Sequence, residues 1–399
     1  MRAAALLLAV LAVLAWPAHA AWQWSEPLTV NSVRGAKIFP HMESANRRNV
    51  AVSGTTVGVV WEDNRSGSTQ CYLATKPAAA ARFQPEIRLS QVECYEPAVI
   101  ALGGGRFVAA WEEAGKVHAR LLPGGQAVTL SDAEAGQVTL AAGAGKLYAA
   151  WAEQAGRFRH IVVSRLEVRA GTLRAAPAQP VEAVPPTDEQ GWPALAVAGD
   201  GSVTVAWEDR RDRHTVLLTS HSENGRSFSP PVRLSDLPKG GGLGRSLGLG
   251  AGTGAMRPTL TAWGTQGVVA VWLDKRDFLS GYDVYAAFDP GTRRFGPNVK
   301  VQDSFGDNMA QWHAQIVGGA DGRLLALWDD ARDGTPDVWM ADWDGAAFGD
   351  NVAVPAAAGP GVQSDPAATL DASGVLHVVW LEQDEQAGTR VRYARAEWK

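Results

Sequence analysis

Seven times along the chain a short apolar run ends in tryptophan: VGVVW61, FVAAW111, LYAAW151, VTVAW207, VVAVW272, LLALW328 and LHVVW380, 40 to 65 residues apart. Fourteen residues before the tryptophan a proline stands in four copies, Pro97, Pro193, Pro258 and Pro366. Between the two markers lies a second short apolar stretch and a glycine-containing turn, as in PALAVAGDGSV. After the tryptophan comes a polar turn and a third stretch, such as QCYLAT (70–75), DVYAAF (283–288) or DVWMAD (337–342). Phe83, Phe228, Phe295 and Phe348 each precede by six residues an apolar residue that closes a fourth: Leu89, Leu234, Val301 and Val354.

Runs this short, rich in Val, Ala and Trp and punctuated by Gly, Pro, Asn and Asp, read as antiparallel strands. Four per unit at this period is the signature of a propeller blade. The second strands are continuous apolar runs because a blade strand is buried between two neighbouring sheets. The seventh unit ends after its third strand, at TRVRYARAEWK, while the chain opens with W24-S-E-P-L-T-V30, the pattern of the missing fourth. The expectation is an all-β, seven-bladed β-propeller of four-stranded antiparallel blades, closed by an N-terminal strand that completes the last blade. Two separate β domains are the alternative.

Residues 1–20 carry Arg2, a short apolar core and an A-x-A site, the pattern of a cleaved signal peptide. The propeller is then one domain, 21–399, of an exported protein, periplasmic or secreted, with no membrane span after cleavage and no cysteine positioned for a lipid anchor. The two cysteines, Cys71 and Cys94, are expected to form a disulfide in an oxidising compartment. A net charge of −5 lacks the basic footprint of a nucleic-acid binder.

The position two after the tryptophan is acidic in every unit: Asp63, Glu113, Glu153, Asp209, Asp274, Asp330 and Glu382. A group present in every blade answers a need of every blade, here the turn's backbone donors, so Asp63, Asp209, Asp274 and Asp330 are read as structural turn acids. Arginine follows two residues later in four units only, as Arg65, Arg211, Arg276 and Arg332. A guanidinium there suits a bidentate pair with its own acid. Three of the four lie in consecutive blades, flanked by the longest inter-blade segments (31–46, 236–257 and 303–312), so they are also candidate ligand contacts. Arginines converging beside paired carboxylates would mark an enzyme; arginines each bound to their own acid would mark a platform.

The W-x-D-x-R turn, followed by D-x-aromatic (Asp283–Tyr285, Asp337–Trp339), resembles the sialidase-like, BNR-type propellers of exported bacterial proteins. HSENGRSF (221–228) is similar to that family's Asp-box, S-x-D-x-G-x-T-W, with Gly225, Ser227 and Phe228 in place and Glu223 standing for the aspartate. The resemblance implies the fold and, for an active member, an arginine triad gripping a sugar carboxylate, a Tyr–Glu nucleophile pair and an acid/base aspartate. Sialidases are six-bladed, and their R-I-P signature is absent here, with KIFP (37–40) the nearest stretch. Only the arginines match, so Arg211, Arg276 and Arg332 are the candidate anion clamp and the catalytic residues are unassigned.

His41 and His313 fall on the expected loop face and are candidates for a composite site, although no histidine spacing signals a metal. Trp192 and Trp312 precede inner strands, where they can line a funnel mouth and stack on a sugar. The glycine-rich run 240–254 lacks the context of a nucleotide loop and reads as a lid or spacer. No cofactor and no metal is expected. Residue patterns therefore favour a non-catalytic exported platform for an envelope protein or glycan partner, of open oligomeric state, over the alternative of a divergent sialidase-like glycoside hydrolase with an arginine-lined pocket.

Overall fold

A computed structural model describes residues 21–236, 253–276, 281–384 and 388–399. Residues 1–20, read from sequence as a signal peptide, and most of the glycine-rich run lie outside the described residues. The chain forms seven antiparallel sheets in sequence order, each a meander from an inner to an outer strand. The inner strands of blades 1 to 7 are Val50–Ser53, Cys94–Gly103, Ala135–Gly143, Gln190–Val197, Met256–Trp263, Trp312–Gly318 and Val362–Leu370. The last strand of blade 7, Gly388–Trp398, is flanked by the N-terminal pieces Trp22–Trp24 and Leu28–Thr29, so the two chain ends share one sheet, as expected. Among the described residues no helix is long and apolar enough to cross a membrane.

The core is divided among seven clusters, each built from two adjacent blades. The seven repeated tryptophans are all fully buried, and each packs against the preceding blade, as Trp111 does against blade 1. Side chains alternate along a strand, so the residue after each tryptophan faces the following blade. Near the axis, small residues let the sheets close up: a Cβ on Gly143 would sit 2.7 Å from the Val197 carbonyl oxygen of the next blade. Cys71 and Cys94 are joined, tying the third strand of blade 1 to the inner strand of blade 2.

Residues 42–48, which lead into blade 1, plug the central channel. Asn46 donates to Leu195 O of blade 4 at 3.0 Å and accepts from Leu260 N of blade 5 at 2.7 Å. Arg47 donates to Pro366 O of blade 7, and Gln315 of blade 6 donates back to Arg47 O. Arg48 donates to Leu195 O and Leu260 O, and its burial lowers its pKa to about 10. The channel is thereby a blind cup floored by the plug.

Candidate functional site

The tryptophan–acid–arginine turns are staples. In five blades the acid accepts the indole N–H of its own tryptophan at 2.7–3.0 Å: Asp63, Glu113, Glu153, Asp274 and Asp330. This use of the acid was not foreseen from the turn. The arginine then closes on the same carboxylate, at 2.5 Å for Arg65–Asp63 and Arg276–Asp274, 2.6 Å for Arg332–Asp330 and 2.7 Å for Arg211–Asp209. Three of the guanidinium groups also lie over the aromatic residue paired with the tryptophan: Arg65 over Tyr72, Arg276 over Tyr285 and Arg332 over Trp339, each near 4 Å. In blade 4 that position is Leu218, and Arg211 reaches Glu182 instead. Each of the four arginines is tied to the acid two residues before it, with Arg211 also reaching Glu182 and Arg332 also reaching Asp303 in the segments entering their blades. The Asp-box-like turn is also built differently from its reading: Asn224 and Ser222 accept its backbone N–H groups, while exposed Glu223 pairs with half-buried Arg293.

A second constellation lies at the cup. Six inner strands carry a bulge near their start, and in each bulge one residue has positive φ: Glu96 (52°), Gln137 (59°), Trp192 (50°), Arg257 (54°), His313 (50°) and Asp365 (56°). Asn46 of the plug, at 59°, supplies the seventh. Positive φ is strained for such residues, and four of them precede proline, which itself favours extended backbone. Strain of about 1–3 kcal/mol per residue persists only where the surroundings over-determine it. Here the surroundings are the residues after the repeated tryptophans. Glu62 accepts Glu96 N at 2.6 Å, Glu208 accepts Arg257 N at 2.8 Å, and Asp329 accepts Asp365 N at 3.1 Å. Glu112 holds Gln137 N in the same way, and Gln137 Oε1 accepts Trp192 N at 2.8 Å. In five of the six bulges the backbone N–H is thus held by the preceding blade.

The bulges gather chemistry. Arg257 lies over the Trp192 ring at 3.2 Å and pairs with Glu43 at 2.9 Å. His313 Nδ1 is 2.6 Å from Asp329, and its Nε2 is 3.2 Å from Asp365. Burial disfavours the His313 cation, but the two carboxylates outweigh it and raise its pKa. His41 Nδ1 is 3.1 Å from Glu62, and that contact raises its pKa. A cavity of about 150 Å³ is lined by Glu43, Asn46, Trp192, Arg257, Trp312 and His313 among others. Of the residues singled out from sequence, Trp192, Trp312 and His313 line this cavity, His41 sits against Glu62, and Arg65, Arg211, Arg276 and Arg332 are not in its lining.

Glu96 stands apart. Its Oε2 is enclosed and has no hydrogen-bond partner. Burial, then repulsion by Glu112, Glu43 and Glu62, pushes its pKa up to about 8, so at neutral pH it carries a proton. Glu112 is also raised by burial. The sequence signal for this site existed. The residues before the aligned prolines are Glu96, Trp192, Arg257 and Asp365, and the residue after the tryptophan is acidic in four units without any staple to explain it.

No family model matches the chain, and no curated protein sequence does either. Solved structures are similar in fold. An ulvan lyase of polysaccharide lyase family PL25, bound to -[GlcA(1-4)Rha3S]-, has TM-score 0.59 at 10% identity, over 92% of this chain and 95% of that one. The polysaccharide lyase Uly1 has TM-score 0.58 at 11% identity, over 88% and 89%. The α-L-arabinanase of Penicillium chrysogenum, in complex with arabinobiose, has TM-score 0.50 at 12% identity, over 93% and 98%. At these identities the likeness is one of propeller fold.

Proposed function

We propose that the chain is an exported glycan-cleaving enzyme of the glycoside hydrolase type, with Glu96 as general acid and Glu112 as its partner carboxylate. The observation that carries the reading is the Glu96 carboxyl, whose Oε2 is enclosed and unpartnered and whose pKa burial and neighbouring carboxyl groups push up to about 8. Glycoside hydrolysis needs that asymmetry, one carboxyl that gives a proton and one carboxylate that takes one. Glu96 protonates the glycosidic oxygen as the C–O bond breaks. Water adds to the anomeric carbon, and its proton passes to Glu112. Trp192 and Trp312 offer ring faces on which sugars stack. The disulfide supports an oxidising, extracytoplasmic compartment, and the glycan actions named for the similar propellers favour a glycan partner over a protein one.

This differs from a sialidase-type reading, whose arginine clamp would need guanidinium groups that are instead occupied in staples. The arginines, each paired with its own acid, match the platform criterion at the rim, and the enzyme reading rests on the cup instead. The test is release of reducing ends from a panel of neutral and acidic polysaccharides by the mature protein, with Glu96→Gln and Glu112→Gln beside it. Turnover should fall at least about 100-fold in each variant. Azide should restore part of the activity of Glu112→Gln but none of that of Glu96→Gln. Turnover unchanged in Glu96→Gln would refute the assignment. An unsaturated, ultraviolet-absorbing product would indicate a lyase instead.

A further inference from the structure

We propose that the cup binds a first-row divalent cation through Glu43, His313 and Asp365. One donor atom from each of the three lies within 4.8 Å of the others. Around an ion with bonds of about 2.0–2.2 Å, donors sit roughly 3–4 Å apart, so the set needs to close by about 1 Å. The histidine is oriented for the task. Asp329 Oδ1 engages its Nδ1 at 2.6 Å, which directs Nε2 toward Asp365. A carboxylate behind a ligating histidine is the usual outer-shell partner of such sites. The same Asp329 oxygen accepts the backbone N–H of Asp365, so one residue positions two ligands.

Around the set, carboxyl groups outnumber the arginines of the cup, Arg47, Arg48 and Arg257. Glu43, Glu62, Glu96, Glu112, Glu208, Asp329 and Asp365 crowd one cup, and the Glu96 Oε2, enclosed and unpartnered, feels Glu43 directly. Arg257 touches Glu43 at 2.9 Å through one carboxylate oxygen, while Arg47 approaches Asp365 Oδ1 at 3.8 Å and Asp365 Oδ2 accepts the Ser364 hydroxyl at 2.9 Å, a neutral donor that a carboxylate oxygen can keep beside an ion. One imidazole and two carboxylates favour Zn²⁺ or Mn²⁺ over the all-oxygen preference of Ca²⁺ or Mg²⁺. Histidine spacing gave no hint because the ligands come from three distant segments, the plug and the inner strands of blades 6 and 7.

The test is calorimetric titration of the chelator-treated mature protein with Zn²⁺, Mn²⁺ and Ca²⁺, with metal content measured on the protein as purified. One equivalent of Zn²⁺ or Mn²⁺ should bind. Asp365→Asn and Glu43→Gln should each weaken binding by more than about 10-fold, and Asp329→Asn by about 10–100-fold. Glu223→Gln, on the far side of the blades, should leave it unchanged. Absence of Zn²⁺ and Mn²⁺ binding in the folded protein, or binding indifferent to both ligand variants, would overturn the site. The readout is binding, so it is independent of the catalytic reading: cation bound without glycan turnover would sink only the latter, and turnover with no cation bound only the former.

Discussion

Asp330→Asn should be among the most damaging single substitutions on the staple side of the protein, and its damage should shrink when Arg332 is removed with it. Asp330 is buried and accepts from the Trp328 indole, from Arg332 N and from the Arg332 guanidinium, whose own side chain is only 7% exposed. Breaking one partner of a buried pair costs about 3–5 kcal/mol. Arg332 keeps Asp303 at 3.2 Å, which places the expected loss near the lower end, about 3 kcal/mol. With an unfolding entropy of about 2.1 cal/mol/K per residue, a cooperative unit of this length loses roughly 1.3 °C per kcal/mol, so Tm should drop by about 4 °C. Arg332→Met removes the stranded charge and keeps aliphatic cover over Trp339. The double variant should therefore recover at least about 1 kcal/mol relative to the sum of the single losses. Urea denaturation of the four proteins closes the cycle. Additive losses, or an Asp330→Asn protein as stable as the parent, would refute the view that these arginines serve their own blades.

Other expectations follow from the same structure. Between the ordinary carboxylic value of 4.5 and about 8 the folded protein holds a Glu96 proton that the unfolded chain has released, so stability falls as pH rises through that window and is level above it. Glu96→Gln cannot ionise, so its Tm should gain on the parent from pH 5 to pH 8; parallel melting curves would contradict the buried, protonated acid. Asn46→Ala should cost about 1–3 kcal/mol in urea unfolding, since it strands the buried Leu260 N–H and leaves the Leu195 carbonyl only its 3.4 Å contact with Arg48. Cys71→Ser with Cys94→Ser opens a link spanning 23 positions and should cost about 3 kcal/mol, seen as a lower urea midpoint in non-reducing buffer.

The fold was legible because its determinants repeat. The tryptophan, its acid and the turn glycines recur at one place in each blade, and the N-terminal strand that closes blade 7 shows the same spacing as the fourth strands it replaces. The cup was less legible for the opposite reason. Glu96, Gln137, Trp192, Arg257, His313 and Asp365 share a backbone conformation and a place in the fold, not a residue type, so no column of identical letters marks them. Counting the first acid of the W-E-D, W-E-E and W-D-D copies would have shown carboxylates beyond the needs of the staples. The plug could not be read in that way, because Asn46, Arg47 and Arg48 act through carbonyls and N–H groups of four other blades and leave no periodic trace. The arginines misled because abundance on one rim looked like convergence, whereas each is consumed by the carboxylate two residues before it.

The central claim is that the cup, and not the stapled rim, is where a glycan meets the protein. The most direct measurement is a crystal structure of the Glu96→Gln variant soaked with oligosaccharides from whichever polysaccharide the parent cleaves. The account predicts sugar rings over Trp192 and Trp312, with a glycosidic oxygen within hydrogen-bond reach of residue 96. Sugar bound instead against Arg211, Arg276 and Arg332, with the cup unoccupied, would contradict it.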